Sequence, residues 1–254
     1  MRTRITIALS PDLKTWYPPR EVLMPDARDD EEQMFFDHMA IEPYGGQYLG
    51  FLGVQPRWGE DRGWIELIGS ADGLNWHRPR QATPFLAPGP EGAWDAGHVW
   101  AIRNVVVYGE WIYLYYSGSS RPWRYRYPDN MRAIGMARIR RDRFAGYYGG
   151  VDGAHLLSRE VIVAGPRLLV NCSAQMRNFS RVWDGSLHTE LVERTGRAIE
   201  GYTYAECDAS HVDDLAVPIT WQGRDLSALV GRRLYLRFFL RNMYLFGFRF
   251  AESV

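Results

Sequence analysis

Two short stretches set an acid between an aromatic side chain and an imidazole. Phe35-Phe36-Asp37-His38 and Ala93-Trp94-Asp95-Ala96-Gly97-His98 each carry an aspartate with an aromatic just before it and a histidine close behind. Apolar surface raises the proton affinity of a nearby carboxyl group, and a neighbouring imidazole can hold either the acid or a hydroxyl of a bound molecule. Acid–base chemistry needs such a pair of groups, one giving a proton and one keeping its charge. Asp37 and Asp95 are therefore the candidate catalytic carboxylates. Glu42, between Ile41 and Pro43, and Glu91, in Gly89-Pro-Glu-Gly, are weaker candidates. They join His38, Trp94 and His98 as candidate substrate-binding residues, and Trp100 is either a further stacking platform or core. The competing reading of each aspartate is a turn cap.

The elements that must position these groups emerge from a repeat. Ile-Ala-Leu-Ser10-Pro-Asp-Leu-Lys-Thr-Trp16 and Ile68-Gly-Ser70-Ala-Asp-Gly-Leu-Asn-Trp76 align with a spacing of 60 residues, and Ile134-Gly-Met136-Ala-Arg-Ile follows after 66 more. Each copy reads as a strand entering a polar turn. The later two are preceded by hairpins: Met39 to Tyr44, Gly45-Gly46, then Gln47 to Leu52; and Asn104 to Tyr108, Gly109-Glu110, then Trp111 to Tyr116. Two residues including glycine between strand-like runs are a hairpin signal. A repeat of this length suffices for one four-stranded propeller blade. The expected fold class is all-β: a partial β-propeller of two to three blades over 1–148, then a β-sandwich over 149–254. The sandwich follows from seven or eight short runs after Gly149-Gly-Val-Asp-Gly, among them Leu168–Asn171, Leu187–Glu193, Ala216–Trp221, Leu234–Arg241 and Tyr244–Phe250. No helix is expected; Asp26–Gln33 has room for a turn or two.

Over nearly its whole length the chain resembles the five-bladed β-propeller glycoside hydrolases with an appended sandwich, the group of fructofuranosidases and arabinanases. The resemblance is carried by Trp94-Asp95 through Val105-Val-Val-Tyr-Gly-Glu-Trp-Ile-Tyr-Leu-Tyr-Tyr-Ser-Gly118, by Ile134-Gly-Met-Ala-Arg with Asp142-Arg-Phe, and by Leu168–Asn171, Gly201-Tyr, Glu206-Cys-Asp208 and Val217-Pro-Ile-Thr-Trp-Gln-Gly with Asp225-Leu-Ser-Ala-Leu. It implies hydrolysis of a glycosidic bond by paired carboxylates, with the site-lining acids on the innermost strands near the channel mouth, and a carbohydrate as substrate or ligand. The chain departs from the pattern in length. Five blades of this repeat need roughly 300 residues, and about 148 precede the expected sandwich. The first blade, which carries a key carboxylate in the family, has no counterpart here. An N-terminally truncated form of the protein is therefore expected, active only when intact, with non-catalytic carbohydrate binding as the alternative. Unpaired blade edges invite a homodimer.

Other features exclude more than they assign. The 30 Lys+Arg balance 30 Asp+Glu, so no basic excess draws nucleic acid or an anionic membrane. No run approaches the length of a membrane span. Met1-Arg-Thr-Arg enters a strand-like segment without the apolar core of a signal peptide, which predicts a cytoplasmic chain unless a further segment precedes it. No cofactor and no metal site are expected: glycine-rich phosphate loops, HExxH and GxSxG are absent from the sequence, and Asp37, His38, Asp95 and His98 have no diagnostic ligand spacing. Cys172 and Cys207 read as two buried thiols, with a single bridge as the alternative. The Ser70–Trp76 turn resembles a sialidase Asp-box shortened by one residue and is assigned no catalysis. The basic run Arg121–Tyr127 suits an acidic ligand or, more simply, a solvated loop.

Overall fold

The protein was described from a computed structural model, which describes residues 4–29, 34–56, 62–79, 83–122, 129–174 and 184–252. The chain is all-β. It divides into two compact units, Met1–Arg138 and Ile139–Val254, and single turns of 3-10 helix at Ala27–Asp29 and Ser227–Leu229 are the helical elements among the described residues. The basic run 123–127 lies outside them.

In the first unit a two-stranded ribbon, β1 (Ile5–Ile7) and β2 (Arg20–Leu23), precedes two three-stranded sheets. The first is β3 (Met34–Tyr44), β4 (Gln47–Pro56) and β5 (Trp64–Ser70); the second is β6 (His98–Tyr108), β7 (Trp111–Ser119) and β8 (Arg132–Arg140). The β3–β4 hairpin turns at Gly45 and Gly46, with φ of 59° and 78°, the two left-handed residues that a type I′ turn requires. The β6–β7 hairpin closes at Tyr108↔Trp111. Strand β4 is buried on both faces, as period-2 alternation allows. Leu52 and Val54 join Phe36, Ile68 and Leu23 in one cluster, with Ile5 packed against it, while Leu49 and Phe51 point to the other face.

The repeat survives as a turn. Asp12 accepts hydrogen bonds from the amides of Lys14 and Thr15, and Asp72 from those of Leu74 and Asn75, at 2.7–2.8 Å. Ser10 and Ser70 donate to the same two carboxylates. These amides hold both acids below the usual carboxylate range, and their role is structural.

In the second unit β10 (Ala154–Leu157), β11 (Val161–Ile162) and β13 (Ser186–Val192) pair with β15 (Arg233–Arg241), and a separate sheet runs in the order β14 (Asp213–Ile219), β12 (Arg167–Ala174), β16 (Met243–Ala251), β9 (Tyr147–Gly149). Both sheets feed one core: Leu168, Val170 and Ile219 from one, Leu187, Leu236 and Phe238 from the other. Trp221 is fully buried there, its indole N–H donating to the Thr189 carbonyl at 2.8 Å. Cys172 and Cys207 are buried free thiols, each pushed up to about 11 by burial. The units part ahead of the change in texture at Gly149 because Arg143 already belongs to the second. Its guanidinium donates to Asn171 and to the Cys172 carbonyl, pairs with Asp213 at 2.6 Å and lies over Phe246.

Candidate functional site

Strand β3 carries one residue too many. Phe36 pairs with Val54 and His38 with Gly53, leaving Asp37 without a partner on β4. Such a bulge re-aims the extra side chain. Strand β6 is interrupted in the same way between Trp100 and Arg103 and again before Val105.

Two imidazoles flank the bulge. His38 lies against Gly53, where an added Cβ would stand 2.3 Å from its ring. His98 lies against Gly63 at the same separation, with Val99 donating to the Gly63 carbonyl at 3.2 Å. Only glycine leaves room for a ring so close to the backbone. The third element is β7. Its last residue, Ser119, pairs with His98 on one side, while Ser120 donates to the Met131 carbonyl on the other. Arg132, the first residue of β8, is thereby brought near the start of β6.

Asp37, His98, Trp100 and Arg132 line an open cleft of about 200 Å³. His38 Nδ1 stands 3.4 Å from an Asp37 carboxylate oxygen, with the two side chains 25% and 45% exposed. That hydrogen bond, with the charges of His38 and His98 behind it, holds Asp37 below the usual carboxylate range against the opposing effect of burial. Burial pushes His98 down to about 4, with Asp37 opposing and His38 assisting. At neutral pH the cleft therefore holds an ionised carboxylate beside a neutral, buried imidazole. The His98 ring meets Trp100 edge-on at 4.7 Å.

The other sequence-derived candidates stand elsewhere. Asp95 is buried, accepts a hydrogen bond from the Tyr116 hydroxyl at 2.8 Å and packs against Gly89. Burial and this carboxylate together push Tyr116 up to about 12. Trp94 stacks on Tyr116 and covers Gly118 and Gly135. Glu42 accepts from the backbone amide of Asn104 at 3.0 Å, at a left-handed residue of β6 (φ 63°), and so serves an amide that the bulge frees. Glu91 is exposed on a turn. That turn belongs to a loop pinned by Arg62, which donates to the carbonyls of Gly89 and Ala96 at 2.7 and 2.9 Å. Asp37 and His98 thus share the cleft with Trp100, while Asp95 and Trp94 pack against β7.

No family model matches this chain, and no curated protein matches it. Among solved structures it is similar to one described as a glycoside hydrolase, at 21% identity and a TM-score of 0.40 over 53% of this chain and 35% of that one. It is also similar to an N-acetylgalactosamine deacetylase from F. plautii in complex with blood group B trisaccharide, at 20% identity and a TM-score of 0.40 over 56% and 42% of the two chains. The chain thus spans less than half the length of either structure.

Arg132 went unnoticed in the sequence. A signal exists, since the third repeat strand opens at Met131-Arg132 and the first and third strands of an up-and-down sheet begin at the same end. Among the described residues no group of three or more His, Cys, Asp or Glu side chains is arranged to hold a metal, and no helix is long and apolar enough to cross a membrane. A larger hollow of about 450 Å³ in the second unit is lined mainly by apolar side chains such as Leu156, Phe238 and Phe248, with Ser158 and Arg159 among its polar groups. It offers no acid–base pair.

Proposed function

We propose that this is a carbohydrate-active protein of glycoside hydrolase type, in which the cleft of the first unit holds a sugar ring. The observation that carries the reading is the bulge residue Asp37, ionised and half-exposed beside His38, in one cleft with His98, Trp100 and Arg132. An ionised carboxylate suits the base or nucleophile of glycoside hydrolysis, and an aromatic ring in the same lining suits the apolar face of a sugar. On the same reading the stacked three-stranded sheets are blades of a partial propeller spanning 1–148, the two-sheet region from 149 is a β-sandwich, and the intact hydrolase is longer than this chain.

A second reading, non-catalytic carbohydrate binding, is favoured by one feature. Among the described residues, Asp37 is the single carboxylate lining the cleft, whereas hydrolysis asks for two. In the hydrolytic reading Asp95 is the partner acid and must reach the sugar from beside Tyr116.

The deciding experiment is Asp37→Asn, assayed both for hydrolysis of aryl glycosides and for sugar binding by calorimetry. A hydrolase loses at least about a hundredfold in kcat while still binding sugar. Unchanged turnover eliminates Asp37 as the catalytic carboxylate. Sugar binding by both forms, with no turnover in either, selects the binding reading.

A further inference from the structure

We infer that the sugar seated in this cleft bears a carboxylate, and that Arg132 is the group that recognises it. The inference rests on the carbohydrate reading above.

Arg132 lines the cleft, yet it makes no hydrogen bond or ion pair with the described residues. Two other arginines of the first unit are spoken for. Arg78 is clamped between Asp29 and Glu66 at 2.7 Å, and Arg62 holds the 89–96 loop. The negative charge in the cleft, on Asp37, is turned toward His38, and burial keeps His98 neutral near pH 7. The cleft is thus left with a guanidinium whose planar fork of donors matches a carboxylate in two-point geometry.

One lining residue is unsatisfied as well. His98 is 3% exposed, and its Nδ1 is buried without a hydrogen-bond partner among the described residues. Buried polar groups left unpaired are costly and mark places where water or a ligand completes the set. A polyhydroxylated ring supplies such partners. Its hydroxyls then lie toward Asp37, its apolar face toward Trp100 and its carboxylate toward Arg132, away from the like charge of Asp37. The volume of about 200 Å³ is below the roughly 300–1,000 Å³ of drug-sized sites, so one sugar unit is seated, free or at the end of a chain.

Calorimetry on the full chain at low ionic strength tests this with methyl glucuronide, methyl glucoside, galacturonate, galactose, galactose 6-sulfate and inorganic sulfate as probes. The expected result is that a uronate binds about tenfold or more tightly than its neutral counterpart. In R132Q the two bind alike, and R132K retains part of the margin. Equal affinities for acidic and neutral sugars in the unaltered protein overturn the inference and leave the carbohydrate reading standing. A sulfated sugar or free sulfate that outcompetes the uronate overturns it in favour of a general anion site. Failure of every sugar to bind overturns both.

Discussion

The residues of the cleft owe their chemistry to burial as much as to type. His98 is held neutral by desolvation, with a folded-state value near 4 against an ordinary 6.5. The unfolded chain therefore binds this proton more readily than the native one, and stability falls as pH drops from about 6.5 to about 4, then levels off once both states are protonated. The loss amounts to about 3 kcal/mol at most. Glu66 acts in the opposite sense. Burial raises it above the ordinary carboxylate value, so its contribution is present at low pH and fades as pH rises through its folded-state value. Urea unfolding between pH 4 and 7 on the protein and on His98→Gln separates the two, because only the histidine's slope disappears in the variant. An unchanged slope would show that His98 is not the buried group responsible.

At the scale of the element, the cleft depends on strands that depart from regularity. The bulge at Asp37, the interruptions of β6 and the glycines beneath both imidazoles act together. Gly63→Ala illustrates the dependence, since its Cβ would stand 2.3 Å from His98 Cε1. The ring must leave its place, at a cost of about 1–3 kcal/mol for overpacking. Followed by NMR, the displaced imidazole should titrate near 6.5 rather than near 4; a value that stays near 4 would mean that the backbone yields instead. Hairpins and turns, by contrast, were legible in the residues themselves. Gly45-Gly46 dictates a left-handed pair, and Asp12 and Asp72 fold the chain back onto their own amides. Such features need only near neighbours.

For the whole molecule, one face of the second sheet stands out. Ile134 is 78% exposed, Met136 55% and Tyr115 45%, and Arg138 lies over Trp111 on the same side. Among the described residues strand β8 also ends its sheet, and open strand edges with apolar faces favour association. The homodimer proposed on these grounds predicts twice the chain mass of 29.4 kDa in light scattering, returning to the monomer in Ile134→Lys/Met136→Lys. A clean monomer for the unaltered chain rejects it.

What the sequence by itself determined is whatever local physics decides: the all-β class from short apolar runs punctuated by glycine and polar turns, the two hairpins, and the core strands of the second unit such as β12, β15 and β16. It also drew attention to Asp37, His38 and His98, because acids and imidazoles beside aromatics stand out in any reading. Only the tertiary structure decided what those groups do. Asp95 looked equivalent to Asp37 in sequence, yet one accepts a hydrogen bond from Tyr116 inside the sheet while the other is thrown outward by a bulge. Glu42 proved to satisfy an amide on a neighbouring strand, and Arg132 joined the cleft across a connection that no local pattern spans. Burial, bulges and the meeting of strand ends depend on residues far apart in the chain, and those are the terms that set charge, exposure and reach.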